Sequence, residues 1–206
     1  MFEEEMEDNW QQTFLTNSTS PYFVTAAFLS LLADAEKGPV HRVGCVVNNT
    51  SVSGFMRMTQ NRQFSYNMSK AAANHLTRQM AVDLGHEKIG VRVNGIALGY
   101  FPSEMTTAAS NEENESVDPG ESFKQYMRSL GISNVKRMGS ARDIASVSYF
   151  LMIPYRFWGS SYTGSVANAD WIPTLKVVLT VVTNEFMWGT ITILDGGFTM
   201  NAPGNM

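Results

Sequence analysis

The apolar positions of this chain fall into alternating helix-like and strand-like stretches. From Trp10 to about Ala35, the residues Phe14, Phe23, Ala27, Phe28, Leu31 and Leu32 predict a long helix, with Lys37-Gly38-Pro39 as its stop. Arg42 to Asn48 (RVGCVVN) is a short β-branched apolar run, the pattern of a strand buried on both faces. Thr50 to Gln63 reads as a polar loop containing Gly54. A second long helix is expected from Phe64 to about Leu84, ended by Gly85. Ile89 to Ala97 (IGVRVNGIA) is the next strand; its Asn-Gly pair is a hairpin signal, but no partner strand follows directly. Leu98 to Ala109 reads as a loop with a short helix, and Asn111 to Gly120 as an acidic exposed segment. Glu121 to Leu130 and Ser140 to Met152 read as helices, and Ile191 to Asp195 (ITILD) as a last strand before Gly196-Gly197. This order of elements is the alternation of an α/β fold with a parallel sheet.

Composition narrows the class. At 206 residues the chain suits a single domain, and an apolar share of 44% against 17% charged suits a protein with a buried core. Lys and Arg number 15 against 19 Asp and Glu, for a net charge of -4, with no basic cluster; this argues against nucleic acid as a partner. The opening MFEEEMEDNW is acidic and lacks an apolar core, so it reads as neither a secretory nor a mitochondrial signal. Lys176 to Val182 is far too short to cross a membrane. The single cysteine, Cys45, excludes an internal disulfide, and a cytoplasmic location is expected. His41, His75 and His86 lack ligand spacing to one another or to Cys45, so no metal is expected.

The chemistry begins at Tyr66-Asn67-Met68-Ser69-Lys70. On a helix, residues four apart share a face about one turn apart. A phenol beside an ammonium is a proton donor whose anion is stabilised, which is what carbonyl reduction requires. Around this pair other motifs stand in order. Trp10 and Asn17 form W-x6-N; Val47-Asn48-Asn49-Thr50-Ser51 forms a serine strand; Arg92 to Gly99 reads RVNGIALG; and Asp195-Gly196-Gly197 closes the series.

Together these motifs resemble the short-chain dehydrogenase/reductase family, along Trp10 to about Thr163 and again from Gly189. The resemblance implies a Rossmann-type doubly wound parallel sheet and an oxidoreductase using NADP or NAD, with a small carbonyl or alcohol as substrate. Its runs look closest to the 3-oxoacyl-carrier-protein-reductase-like and the sugar- or polyol-oxidising members. It implies that Tyr66 is the general acid in reduction and the base in oxidation. Lys70 would favour the phenolate and hold the nicotinamide ribose. Ser51 would hydrogen-bond the substrate oxygen, and Asn17 would fix a water relaying protons to Lys70. Gly99, the Phe101 backbone and Ser103 would meet the nicotinamide, with Leu98 standing where the family has proline. Ser51 lies fifteen residues before Tyr66, two more than is common, and the common spacing would select Ser53. Ser51 is preferred because a loop absorbs two extra residues, whereas a strand end that shifts register turns its side chains over.

The family opens with a strand and a glycine-rich turn, T-G-x3-G-x-G, that approaches the cofactor pyrophosphate. No such cluster occurs in this sequence, which starts at the helix carrying Asn17. The expectation is a partial fold, the family's strands 5-6-7 with flanking helices, in one incomplete domain with an uncovered edge strand. Ser165 to Trp188 reads as an insertion, since joining SSYTG to TITILDGG restores an uninterrupted family sequence, as a retained intron would explain. An alternative to catalysis follows: an inactive family member that keeps the dimerisation helices and binds complete paralogues. Either way, a homo-oligomer or association with paralogues is expected.

Overall fold

A computed structural model describes residues 7–38, 43–59, 62–85, 89–107, 110–112, 116–152, 189–196 and 198–201. The proposed insertion, 165–188, lies outside them. Helix α1 (Glu7–Phe14) runs through a π-helical turn (Leu15–Thr19) into α2 (Ser20–Ala33), where the sequence predicts one regular helix. The irregularity has a cause in the chain. Pro21 sits in the first turn of α2, where its missing N–H is tolerated. Its ring crowds the carbonyl four residues back, which is that of Asn17. The wider turn accommodates this, and the Ser20 N–H and Oγ–H both donate to the Leu15 carbonyl.

Strands β1 (Cys45–Ser51), β2 (Arg92–Leu98) and β3 (Ile191–Leu194) form a parallel sheet in the order β1-β2-β3. The first strand extends to Ser51, beyond the predicted end at Asn48, and pairs Ser51 with Leu98. The Asn94-Gly95 pair lies inside β2, not at a turn. Long helix α3 (Phe64–Leu84) covers one face of the sheet, where Val46 and Val93 meet Met80 and Ala81. Helix α6 (Ala141–Met152) covers the other, where Val47, Ile96 and Leu194 gather with Val147. Burial on both faces is why β1 and β2 read as near-continuous apolar runs. On the outer side of β1 no strand stands among the described residues.

The largest core cluster lies past the carboxyl ends of the strands. Val52 and Ala97 pack there with Phe123 and Met127 of α5 (Glu121–Ser129), with Ile132, and with Phe198 of α7 (Phe198–Asn201). Full burial of a side chain such as Phe198 or Met127 is worth about 1.5–3 kcal/mol. This cluster makes a firm floor under the loops that follow β1 and β2.

Candidate active site

Ser51 ends β1 in extended geometry and caps a 3-10 turn, Val52–Gly54, its Oγ accepting from the Ser53 N–H at 3.1 Å. The same hydroxyl reaches the Leu98 carbonyl at 3.4 Å, so it stands across the ends of both strands. Tyr66, in the first turn of α3, shares a cavity wall with Ser51, whose side chain pulls the phenol's pKa down. One turn on, the Lys70 ammonium stands 5.7 Å from the Tyr66 ring centre and donates to the Asn49 carbonyl at 3.4 Å.

Burial pushes the Tyr66 phenol above its ordinary value, and the Ser51 side chain offsets only part of that. Burial pushes the Lys70 ammonium down, for the same reason: each charged form loses solvation. Tyr66 is thus held protonated, the form a proton donor needs.

Asn17 belongs to this region through another residue. Its amide donates to Ser69 Oγ at 3.0 Å, Ser69 Oγ donates to the Tyr66 carbonyl at 2.8 Å, and the neighbouring Ser18 hydroxyl donates to the Ser69 carbonyl at 2.8 Å. The π-helical turn is therefore tied to the turn of α3 that carries Tyr66 and Lys70, a placement in which such turns recur at functional sites.

Ser51, Tyr66 and Gly99 line one cavity of about 300 Å³. Gly99 is demanded by packing: a Cβ there would stand 2.6 Å from that of Asp195. Phe101 and Ser103 stand off from this cavity. The Phe101 ring fills the space beside Gly139, and its carbonyl accepts from Thr106 Oγ1 at 2.5 Å. Ser103 precedes the short helix α4 (Glu104–Thr107), and its hydroxyl meets Thr106 Oγ1 at 3.0 Å. Val52 and Ser53 line the cavity as well, and the other walls come from residues that the sequence reading did not single out for the site: Gln63, Tyr100, Met105, Thr106 and Tyr126. Tyr100 directly follows Gly99, and that adjacency was the one available signal. Its ring is fixed between Phe123, Tyr126 and Phe198, at centroid distances of 5.6, 6.0 and 5.2 Å. A second cavity, of about 260 Å³, also has Tyr100 in its wall and is lined by the charged residues Lys136, Arg137, Asp143 and Asp195.

A parallel sheet whose strand ends carry a hydroxyl and a Tyr-x3-Lys helix turn defines a class, and comparison with known proteins agrees. Residues 1–114 match the short chain dehydrogenase family, and the chain belongs to it. The short-chain dehydrogenase/reductase PhomF' of Diaporthe leptostromiformis is 35% identical over 160 residues, 77% of this chain and 50% of that protein. Among solved structures, the RhlG/NADP active-site complex of Pseudomonas aeruginosa superposes with a TM-score of 0.61 at 24% identity, covering 93% of this chain and 60% of that one. A 4-hydroxyisoleucine dehydrogenase complexed with NADH and succinate gives 0.61 at 22% identity, covering 96% and 62%. The chain thus spans about half the length of the curated relative.

Proposed function

We propose that this chain serves an NAD(P)-dependent oxidoreductase that interconverts a carbonyl and an alcohol, with Tyr66 as general acid and base. The observation that carries this reading is the placement of the Tyr66 phenol with Ser51 at the wall of a cavity bounded by the strand ends. In reduction Tyr66 gives its proton to the carbonyl oxygen, and Ser51 orients that oxygen and stabilises its developing charge. Lys70 holds positive charge near the phenolate that remains, and Asn17 fixes the helix turn carrying both.

The donor chemistry suits the nicotinamide end of the cofactor. An ammonium has three N–H donors, and Lys70 uses one, weakly, among the described residues. The others suit a ribose diol, and Gly99, Phe101 and Ser103 follow on the next strand end for the nicotinamide ring. When bound, the nucleotide supplies the hydride. The pyrophosphate end finds no glycine-rich turn in this sequence.

Calorimetric titration with NADPH and then NADH, followed by nucleotide oxidation with a panel of small ketones, tests the reading. Saturable binding is expected, with turnover that Tyr66→Phe abolishes while binding persists. Turnover near wild type in that variant overturns the assignment.

A different observation favours a second reading, an assembly partner without turnover. The apolar side chains Phe23, Val24, Phe28 and Leu31 of α2 are exposed to solvent. A stripe of that size marks an interaction surface, here for a second copy or a complete relative. Nucleotide binding separates the two readings.

A further inference from the structure

Tyr66 sits where its helix is least able to support itself. Helix ends fray, because their first N–H groups have no partner within the helix. Gln63, at the N-cap of α3, gives no side-chain hydrogen bond to that turn, and glutamine is not among the preferred caps. Tyr66 stands only three residues further on. Side chains from within the turn hold it instead. The Asn67 amide donates to the Met58 carbonyl at 3.1 Å. Ser69 is fully buried, and its hydroxyl donates to the Tyr66 carbonyl at 2.8 Å while accepting from the Asn17 amide at 3.0 Å. The Ser69 carbonyl in turn accepts from Ser18 Oγ at 2.8 Å.

Consecutive residues of a regular helix point about 100° apart, yet Asn17 and Ser18, both in the π-helical turn, reach the same residue of α3. Ser69 does not line the Tyr66 cavity, so what it does there passes through the backbone of Tyr66. We infer that Ser69 is a positioning residue: its hydroxyl carries the hold of the π-helical turn to the Tyr66 carbonyl and stands in for the side-chain cap that Gln63 does not give. Without that hydroxyl the half-buried Asn17 amide loses its acceptor, and the turn carrying Tyr66 and Lys70 opens more often. In a regular helix the Lys70 N–H donates to the same Tyr66 carbonyl, so the Lys70 amide reports on this turn. The hold on the backbone stands by itself; its effect on catalysis rests on the proposed role of Tyr66.

Native-state hydrogen exchange on the 206-residue chain, wild type against Ser69→Ala, tests this, with Lys70 as the reporter and Met80, late in the same helix, as the reference. The Lys70 amide is expected to speed up at least about tenfold more than the Met80 amide, the worth of one good hydrogen bond. Equal acceleration of both, or of neither, overturns the inference, because a loss of packing alone loosens the whole helix. Asn17→Ala removes the same link from its other end and decides the matter if Ser69→Ala does not fold. It should show the same pattern at Lys70, and no selective effect there overturns the inference. Where both fold, the double variant should add little to Ser69→Ala; full additivity overturns it. The phenol gives a second readout. Opening the turn brings water to Tyr66, whose neighbours are the Lys70 ammonium and the Ser51 hydroxyl. Its phenolate band, isolated by subtracting a Tyr66→Phe chain, should therefore appear at lower pH in Ser69→Ala than in wild type, nearer the ordinary 10.0. An unmoved midpoint counts against the inference. Under the proposed function kcat falls while KM holds. The exchange pattern in a chain without turnover upholds the role of Ser69 and removes that of Tyr66.

Discussion

At the residue scale, the proposed function turns on Tyr66, and burial shifts the pH at which its phenol ionises. Its phenol is pushed above the ordinary 10.0 by burial, with the Ser51 side chain pulling it partly back. A difference titration at the phenolate absorption band, wild type against Tyr66→Phe, should therefore show Tyr66 ionising later than an exposed tyrosine. Ser51→Ala should move it later still, and a midpoint at or below the ordinary value would refute the burial argument. The sign for stability follows: a raised folded value gives a contribution fully present below about pH 10 and lost as the pH rises through that value. Under the proposed function, Ser51→Ala should lower kcat by about a hundredfold or more, the typical worth of one donor to a developing oxyanion. Ser53→Ala should cost far less, because Ser53 meets Ser51 through a backbone N–H that alanine keeps. Steady-state kinetics on the two variants checks the choice between them. These chemical positions were legible because a short motif carries them within one helix turn or one strand end. Tyr126 was not, since its place depends on how α5 packs against the loop after β2.

At the element scale, two close fits hold the site in shape. Gly54 lies against α3, where an added Cβ would stand 2.7 Å from the Ala71 nitrogen and the Lys70 carbonyl carbon. Backbone cannot yield as a side-chain tip can, so Gly54→Ala should push the turn after Ser51 away from Tyr66. The expected cost is about 1–3 kcal/mol, read as a lower urea midpoint, with a fall in kcat under the proposed function. The second fit is the start of α6. Asp143 accepts from the Ser140 N–H at 2.7 Å and from Arg137 at 2.8 Å, and its own N–H faces the Ser140 hydroxyl at 3.4 Å. This reciprocal cap, with Arg137 as the largest cause, holds the Asp143 carboxyl well below the usual carboxylate range. Asp143→Asn should cost about 1 kcal/mol at neutral pH; the exposed Arg137 pair adds little in water. A depressed value gives stability present above about pH 4 and lost as pH falls, so the difference from wild type should shrink below that pH. Urea midpoints at neutral and acid pH measure it. The order of helices and strands was readable from periodicity, but their edges were not. A strand end depends on its neighbour, and β1 runs on to Ser51 because Leu98 of β2 lies opposite. The π-helical turn was hidden too, although Pro21 four residues after Asn17 was its visible cause.

At the scale of the whole molecule, what is exposed matters as much as what is buried. Thr25 is the only buried residue of α2, while Phe23 is 63% and Leu31 68% exposed. Val24, Phe28 and Leu31 recur at helical spacing, so they form one stripe along the outside of the helix. The outer edge of β1 is unpaired among the described residues, a second surface able to recruit another chain. A chain that spans about half of its curated relative carries the Tyr66-x3-Lys70 turn, while its sequence offers no glycine-rich turn for a pyrophosphate. Its behaviour then depends on what covers these surfaces. If the α2 stripe drives assembly, placing charge on it should separate the copies without harming the fold, because the substituted side chains leave no cavity behind. Phe28→Glu combined with Leu31→Glu should shift the sedimentation coefficient from an assembled to a monomeric value at equal concentration. Far-ultraviolet circular dichroism should stay unchanged. Sedimentation identical to wild type would remove the α2 stripe as the contact and leave the β1 edge as the surface to test, by placing a proline at Val47, where a strand partner would need its N–H.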